Sequence, residues 1–175
     1  TLSTAQINAL SSDQLNAMAS DDLRALTTMQ VSKLTNTQVA DLSTDQIVAL
    51  TANQVKSLTT SQVTSLTSDQ LNSMASDDLQ ALTTTQVKAL TATQISTLSS
   101  AQVAVMETAD IATLSATQAE KLSTDAVAAL TTAQIKVLTS AALNALSSDQ
   151  LAALETDDVA ALTTLQVSKL TTTQV

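Results

Sequence analysis

The sequence predicts an all-α solenoid, a superhelix of tandem eight-residue units in which each unit is one short capped helix. Three observations predict it. From Leu2 onward an apolar anchor recurs at every eighth residue, 19 Leu and three Met (Met18, Met74, Met106) in 22 units. A Ser or Thr follows most anchors, with Gln three residues later, the S/T-x-x-Q signature of a helix start closed by a capping box. All seven basic residues stand at positions seven or eight of the unit, and 14 of the 16 acidic residues stand at two, four or five. A helix favours anions near its N-terminus and cations near its C-terminus, and that is the same sorting.

The period itself excludes simpler helical readings. On one continuous α-helix, eight residues sweep about 800°, so an apolar seam would rotate by about 80° per unit; a single long helix or coiled coil cannot keep it on one face. The alternative is a β-solenoid. Its strands would put the anchors and the position-six residues on opposite faces, with polar side chains interleaved on both.

Within the unit, each position has a reason. Position one, the anchor, sits just before the cap, and position six is Val, Ile or Leu in 21 of 22 units, Ala119 being the exception. Those two places form a hydrophobic staple around the helix start. Position two caps and position five returns the bond, as in Thr59 with Gln62, Thr83 with Gln86 and Thr131 with Gln134. Loss of the position-five partner alone, as in Gln86→Ala, is expected to cost about 0.5–2 kcal/mol. Positions four and seven are expected in solvent, and the small residues at eight are expected to line the axis with the anchors and position six. A helix of about six residues is marginal alone, so the units must stack.

Taken in order, the units run without a break. Leu10–Lys33 reads LSSDQLNA, MASDDLRA, LTTMQVSK, and close copies begin at Leu66, seven units on, and at Leu146, ten units after that. These unequal offsets point to duplicated blocks. Four units lack the hydroxyl at position two (Ala19, Ala75, Glu107, Glu155), and the same four carry Asp at five (Asp22, Asp78, Asp110, Asp158). There the cap is expected to slide to Ser20, Ser76, Thr108 and Thr156. Ala126 and Ala142 replace Gln in two further units. No linker interrupts the series, so residues 1–175 are expected to form one repeat array of 22 octads, ending six residues into a unit at Val175 as a piece of a longer array.

Composition narrows the function. Gly, Pro, Cys, His, Phe, Trp and Tyr are all absent. Without His or Cys, an enzyme would need a Ser–Lys or a carboxylate scheme. Ser32–Lys33 and Ser168–Lys169 are neighbours on a repeating surface with no distinctive third group. The pairs Asp21–Asp22, Asp77–Asp78 and Asp157–Asp158 supply few of the oxygens Ca²⁺ requires and read better as helix-start charge. The expectation is no enzyme, no catalytic, cofactor or metal residues, and no cofactor or small-molecule substrate. A net charge of −9 disfavours nucleic acid and anionic membrane as partners. No apolar run is long enough to span a bilayer.

The octads LSTDQIVA at Leu42–Ala49 and LTTTQVKA at Leu82–Ala89 resemble the octapeptide tracts of large bacterial surface and secreted proteins of the adhesin type. The resemblance covers the whole chain. It implies a stalk or spacer at the bacterial surface or outside the cell. A protein-binding or self-assembling solenoid, associating through its ends or sides, is the alternative; with one Arg and no aromatic, the chain lacks the usual anchors of a binding surface. Ice binding by Thr-rich faces is a lesser one, since the Thr ranks are interrupted and half of them are needed as caps.

Overall fold

A computed structural model describes residues 2–172 and 174. Among the described residues are 21 helices of four to six residues, Thr4–Asn8 the first and Thr164–Val167 the last, and no strand. The fold is an all-α repeat, which removes the β-solenoid alternative. Val175, the position-six residue of the last unit, lies outside the described residues.

Each helix starts at position three with the position-two residue as its N-cap. At Ser43, the hydroxyl accepts from the N–H of Gln46 at 3.2 Å, and the Gln46 side-chain oxygen accepts from the N–H of Ser43 at 3.1 Å. Both orphan donors of the helix start are thereby satisfied. The helix Thr44–Ala49 ends at Leu50, whose backbone is extended (φ −61°, ψ 141°), and Thr51 caps the next. Two residues, Leu50 and Thr51, connect this helix to Ala52–Ser57. No described residue has positive φ, so the left-handed helix ending that usually recruits glycine is not used, and a chain without glycine can make every connection.

The cap does not slide in the four exceptional units. Their helices still begin at Ser20, Ser76, Thr108 and Thr156, with Ala19, Ala75, Glu107 and Glu155 as N-caps and no side-chain cap bond. The N–H groups of Asp22, Asp78, Asp110 and Asp158 turn instead to the N-cap carbonyls, at 3.0, 3.1, 2.9 and 3.0 Å. This tight 3₁₀-type bond satisfies the donor inside the backbone and keeps the helix in the eight-residue frame.

Two compact units make up the chain, Thr1–Ala89 and Leu90–Val175. Inside the first, each helix packs on the third helix after it: Ser12–Asn16 on Asn36–Asp41, Asn36–Asp41 on Thr60–Ser65, and Thr60–Ser65 on Thr84–Ala89. Inside the second, Ala92–Thr97 packs on Ala116–Glu120, Ala116–Glu120 on Ser140–Ala145, and Ser140–Ala145 on Thr164–Val167. The core is built from positions one and six, for example Leu42, Ile47, Leu50 and Val55 in the first unit and Leu130, Ile135, Leu138 and Leu143 in the second, all buried. Positions four and seven are mainly exposed, as expected. Position eight is a correction: Ala49, Ser57, Ser65 and Ala145 are only half-buried. The third buried position is the glutamine at five.

Candidate functional site

The most specific chemistry in the chain is a ladder of buried glutamines. In the helix Thr60–Ser65, the Gln62 oxygen accepts from the N–H of Thr59 at 2.7 Å, closing the capping box. Its Nε2 turns the other way and donates to the carbonyls of Val31 at 2.9 Å and Leu34 at 2.7 Å, 31 and 28 residues earlier. Val31 ends its own helix, so the amide satisfies the start of one helix and the end of another at once.

The same bonds recur along the first unit. Gln46 reaches Leu15 and Met18, both at 3.0 Å; Gln54 reaches Leu23 at 3.0 and Leu26 at 2.8 Å; Gln70 reaches Val39 at 2.9 and Leu42 at 2.7 Å; Gln86 reaches Val55 at 2.9 and Leu58 at 2.8 Å. In the second unit, Gln134 reaches Val103 at 2.9 and Met106 at 2.8 Å, and Gln166 reaches Ile135 at 2.8 and Leu138 at 2.9 Å. In every case the acceptors are a position-six and a position-one carbonyl. Among the described residues, no buried side-chain nitrogen or oxygen lacks a partner.

Capping alone therefore understates what Gln86→Ala removes. The substitution also strips the buried carbonyl of Leu58 of its donor and leaves that of Val55 with the N–H of Leu58 alone, and an orphaned buried group costs about 1–3 kcal/mol. Sequence reasoning found the capping role of these residues and missed the other half of the amide.

The residues weighed for catalysis or metal are placed as follows. The Ser32 hydroxyl donates to the carbonyl of Met29 at 2.9 Å and the Ser168 hydroxyl to that of Leu165 at 2.8 Å; the neighbouring Lys33 and Lys169 are exposed. Asp21, Asp22, Asp77 and Asp157 are exposed, Asp78 is half-buried, and the buried Asp158 accepts from the Thr132 hydroxyl at 3.1 Å. Among the described residues, no three acidic side chains gather where a metal ion would need them. No helix among them is long and apolar enough to cross a membrane.

Two position-five aspartates have perturbed acidity. Burial, then the charge of Asp77, raises Asp78, with Arg24 opposing. Asp110 is pushed up to about 6, first by burial and second by the charge of Glu107. Its proton is held more tightly in the folded chain than at the ordinary value of 3.8, so the stability it contributes is complete below 3.8 and is lost as pH rises through about 6. Asp110→Asn is expected to raise the neutral-pH melting temperature and to flatten the melting curve's dependence on pH between those values. Thermal melts of both proteins across that range check this, and identical profiles would contradict it.

A family model described as the ALTTAQ repeat matches residues 15–52, 72–106, 103–140, 128–156 and 135–164, well over half of the chain. Those six letters stand literally at Ala129–Gln134. No curated protein matches the chain.

Proposed function

The chain belongs to the ALTTAQ repeat family, and from that premise we propose that it is a non-enzymatic structural region, a solenoid that serves as a stalk or spacer in a larger bacterial surface or secreted protein. The superhelix of this reading completes a turn in about three and a half to four octads, because its ladder joins residues 28 and 31 apart. One observation carries the proposal: the ladder uses the same two carbonyl positions at every glutamine described above, in both units. Chemically equivalent turns can be added or removed without changing their neighbours, which makes length the natural functional variable. The surface agrees with a spacing role, since one Arg and no aromatic side chain are available to anchor a partner. The resemblance to adhesin-type octad tracts supports an extracellular setting.

The test is made in the full-length protein, with the array shortened or lengthened by whole octads. Small-angle scattering is expected to show the reach changing in equal steps, and the parent protein's activity is expected to follow the number of octads whichever ones are removed. Abolition of activity by removal of one particular octad, at unchanged reach relative to its neighbours, would make the array a binding module.

A further inference from the structure

Inside the second unit, one rung of the ladder has both its ends but no glutamine between them. Gln118 donates to the carbonyl of Leu90 at 2.8 Å, and Gln134 donates to those of Val103 and Met106. The octad between these two carries Ala126, and the carbonyls that the frame sets opposite it are those of Leu98 and Ile95. The Leu98 carbonyl, just past the helix Ala92–Thr97, accepts from no donor among the described residues, and the Ile95 carbonyl accepts only from the N–H of Leu98, at 3.2 Å. At the other end, the Ser123 hydroxyl still accepts from the N–H of Ala126 at 3.1 Å. With no side-chain amide at position five, the N–H of Ser123 donates to no acceptor among the described residues. Ile95, Leu98, Ala126 and Val127 are all buried. A buried carbonyl without a donor is costly, and native folds rarely leave one.

Compared with glutamine, alanine lacks Cγ, Cδ, Oε1 and Nε2, which is more room than one water requires, and polar groups stand at both ends of that space. We propose that a bound water completes this rung, donating its protons to the carbonyls of Leu98 and Ile95 and accepting from the N–H of Ser123. That makes about three hydrogen bonds, the usual complement of a buried water. Ser123 is exposed, which gives the molecule a way in. The water does what the amide does in the neighbouring octads: it joins the start of the helix Thr124–Ala128 to the end of Ala92–Thr97. Ala142 leaves the Leu114 carbonyl in the same position, but there the small Ala119 stands at position six. The helices Ala116–Glu120 and Ser140–Ala145 also pack more closely than any other pair in either unit, which leaves less room, so the water is assigned to Ala126.

The experiment compares the wild-type chain with Ala126→Gln and Ala126→Met, two side chains of equal length of which only the first can donate. Far-UV circular dichroism verifies that both variants are folded. Water-oxygen magnetic relaxation dispersion, which counts long-lived waters, is expected to show about one more per chain in the wild type than in either variant. Ala126→Gln is expected to melt no lower than the wild type, because the amide takes over every bond of the water. Ala126→Met is expected to melt below Ala126→Gln by about 4–8 °C, because it displaces the water and leaves the Leu98 carbonyl without a donor. Equal dispersion in the wild type and Ala126→Gln would overturn the proposal. So would a Met variant as stable as the Gln variant, which would make the space apolar, or a Gln variant less stable than the wild type, which would make it closed.

Discussion

Deleting the four residues Leu42–Asp45 is expected to unfold or split the first unit, whereas deleting the eight residues Leu42–Ala49 leaves it folded with nearly unchanged stability. The octad deletion joins Asp41 to Leu50 and moves Gln54 from the carbonyls of Leu23 and Leu26 to those of Leu15 and Met18, which are of the same two types. Every cap, staple and ladder bond survives with an equivalent partner. The four-residue deletion joins Asp41 to Gln46 and removes an anchor together with Ser43, the cap of its helix. It also sets Gln54 opposite Ala19 and Asp22, at the start of a helix instead of its end. Gln46, Gln54, Gln62 and Gln70 all bridge the deletion, and at about 1–3 kcal/mol per orphaned buried group the loss rivals the whole stability of an ordinary domain, about 5–15 kcal/mol. Thermal unfolding of the two proteins measures the difference. Equal damage from both would mean that the octad is not the structural unit.

Gln62→Glu is expected to be the most damaging conservative substitution at neutral pH, worse than Gln62→Ala. The alanine removes one capping acceptor, leaves the carbonyl of Leu34 without its donor and leaves that of Val31 with the N–H of Leu34 alone, at a cost of about 2–4 kcal/mol. Ala126 and Ala142, both buried, are precedents for tolerating it. The glutamate keeps the bond to Thr59 but aims a buried carboxylate oxygen at two carbonyls, an unpaired buried charge worth about 3–5 kcal/mol of destabilisation. Protonation turns that oxygen back into a donor. The folded-state pKa of the introduced acid is thereby raised above its ordinary value of about 4.3, so the penalty is full well above that pH and fades as pH falls toward it. Gln14→Glu, exposed and without a carbonyl opposite, is the control and is expected to change little. Denaturant unfolding at neutral and acid pH reads all four proteins. A Gln62→Glu protein as stable as Gln14→Glu at neutral pH would remove the donor role.

Much of this was legible in the octad because its cues are local. The anchor, cap, Gln and charge positions act within one turn of one helix, and the structure places a helix in each of the first 21 units. The cap at Ser20, Ser76, Thr108 and Thr156 was misread because the frame of the repeat outweighs one hydroxyl: the backbone satisfies the N–H of Asp22 without moving the helix. The other arm of the glutamine was invisible to local reasoning, since its acceptors lie 28 and 31 residues away. A signal did exist. Glu serves a capping box as well as Gln does, yet no unit of this acidic chain has Glu at position five. A cap needs only an acceptor there; exclusion of Glu says that a donor is needed too. How many octads pass before the chain returns on itself depends on those distant pairs, so the octad alone could not yield it.

The most direct test of the ladder is solvent exchange of the glutamine side-chain amide protons, followed by NMR on the chain. The Nε2 protons of Gln46, Gln54, Gln62, Gln70, Gln134 and Gln166 are expected to be protected, because each amide is held between carbonyls 28 and 31 residues back. Those of Gln6 and Gln14, which make the same cap but have no carbonyl to reach, are expected to exchange as fast as a free amide. Exchange at Gln62 as fast as at Gln6 would show that the glutamines only cap, and would contradict the ladder.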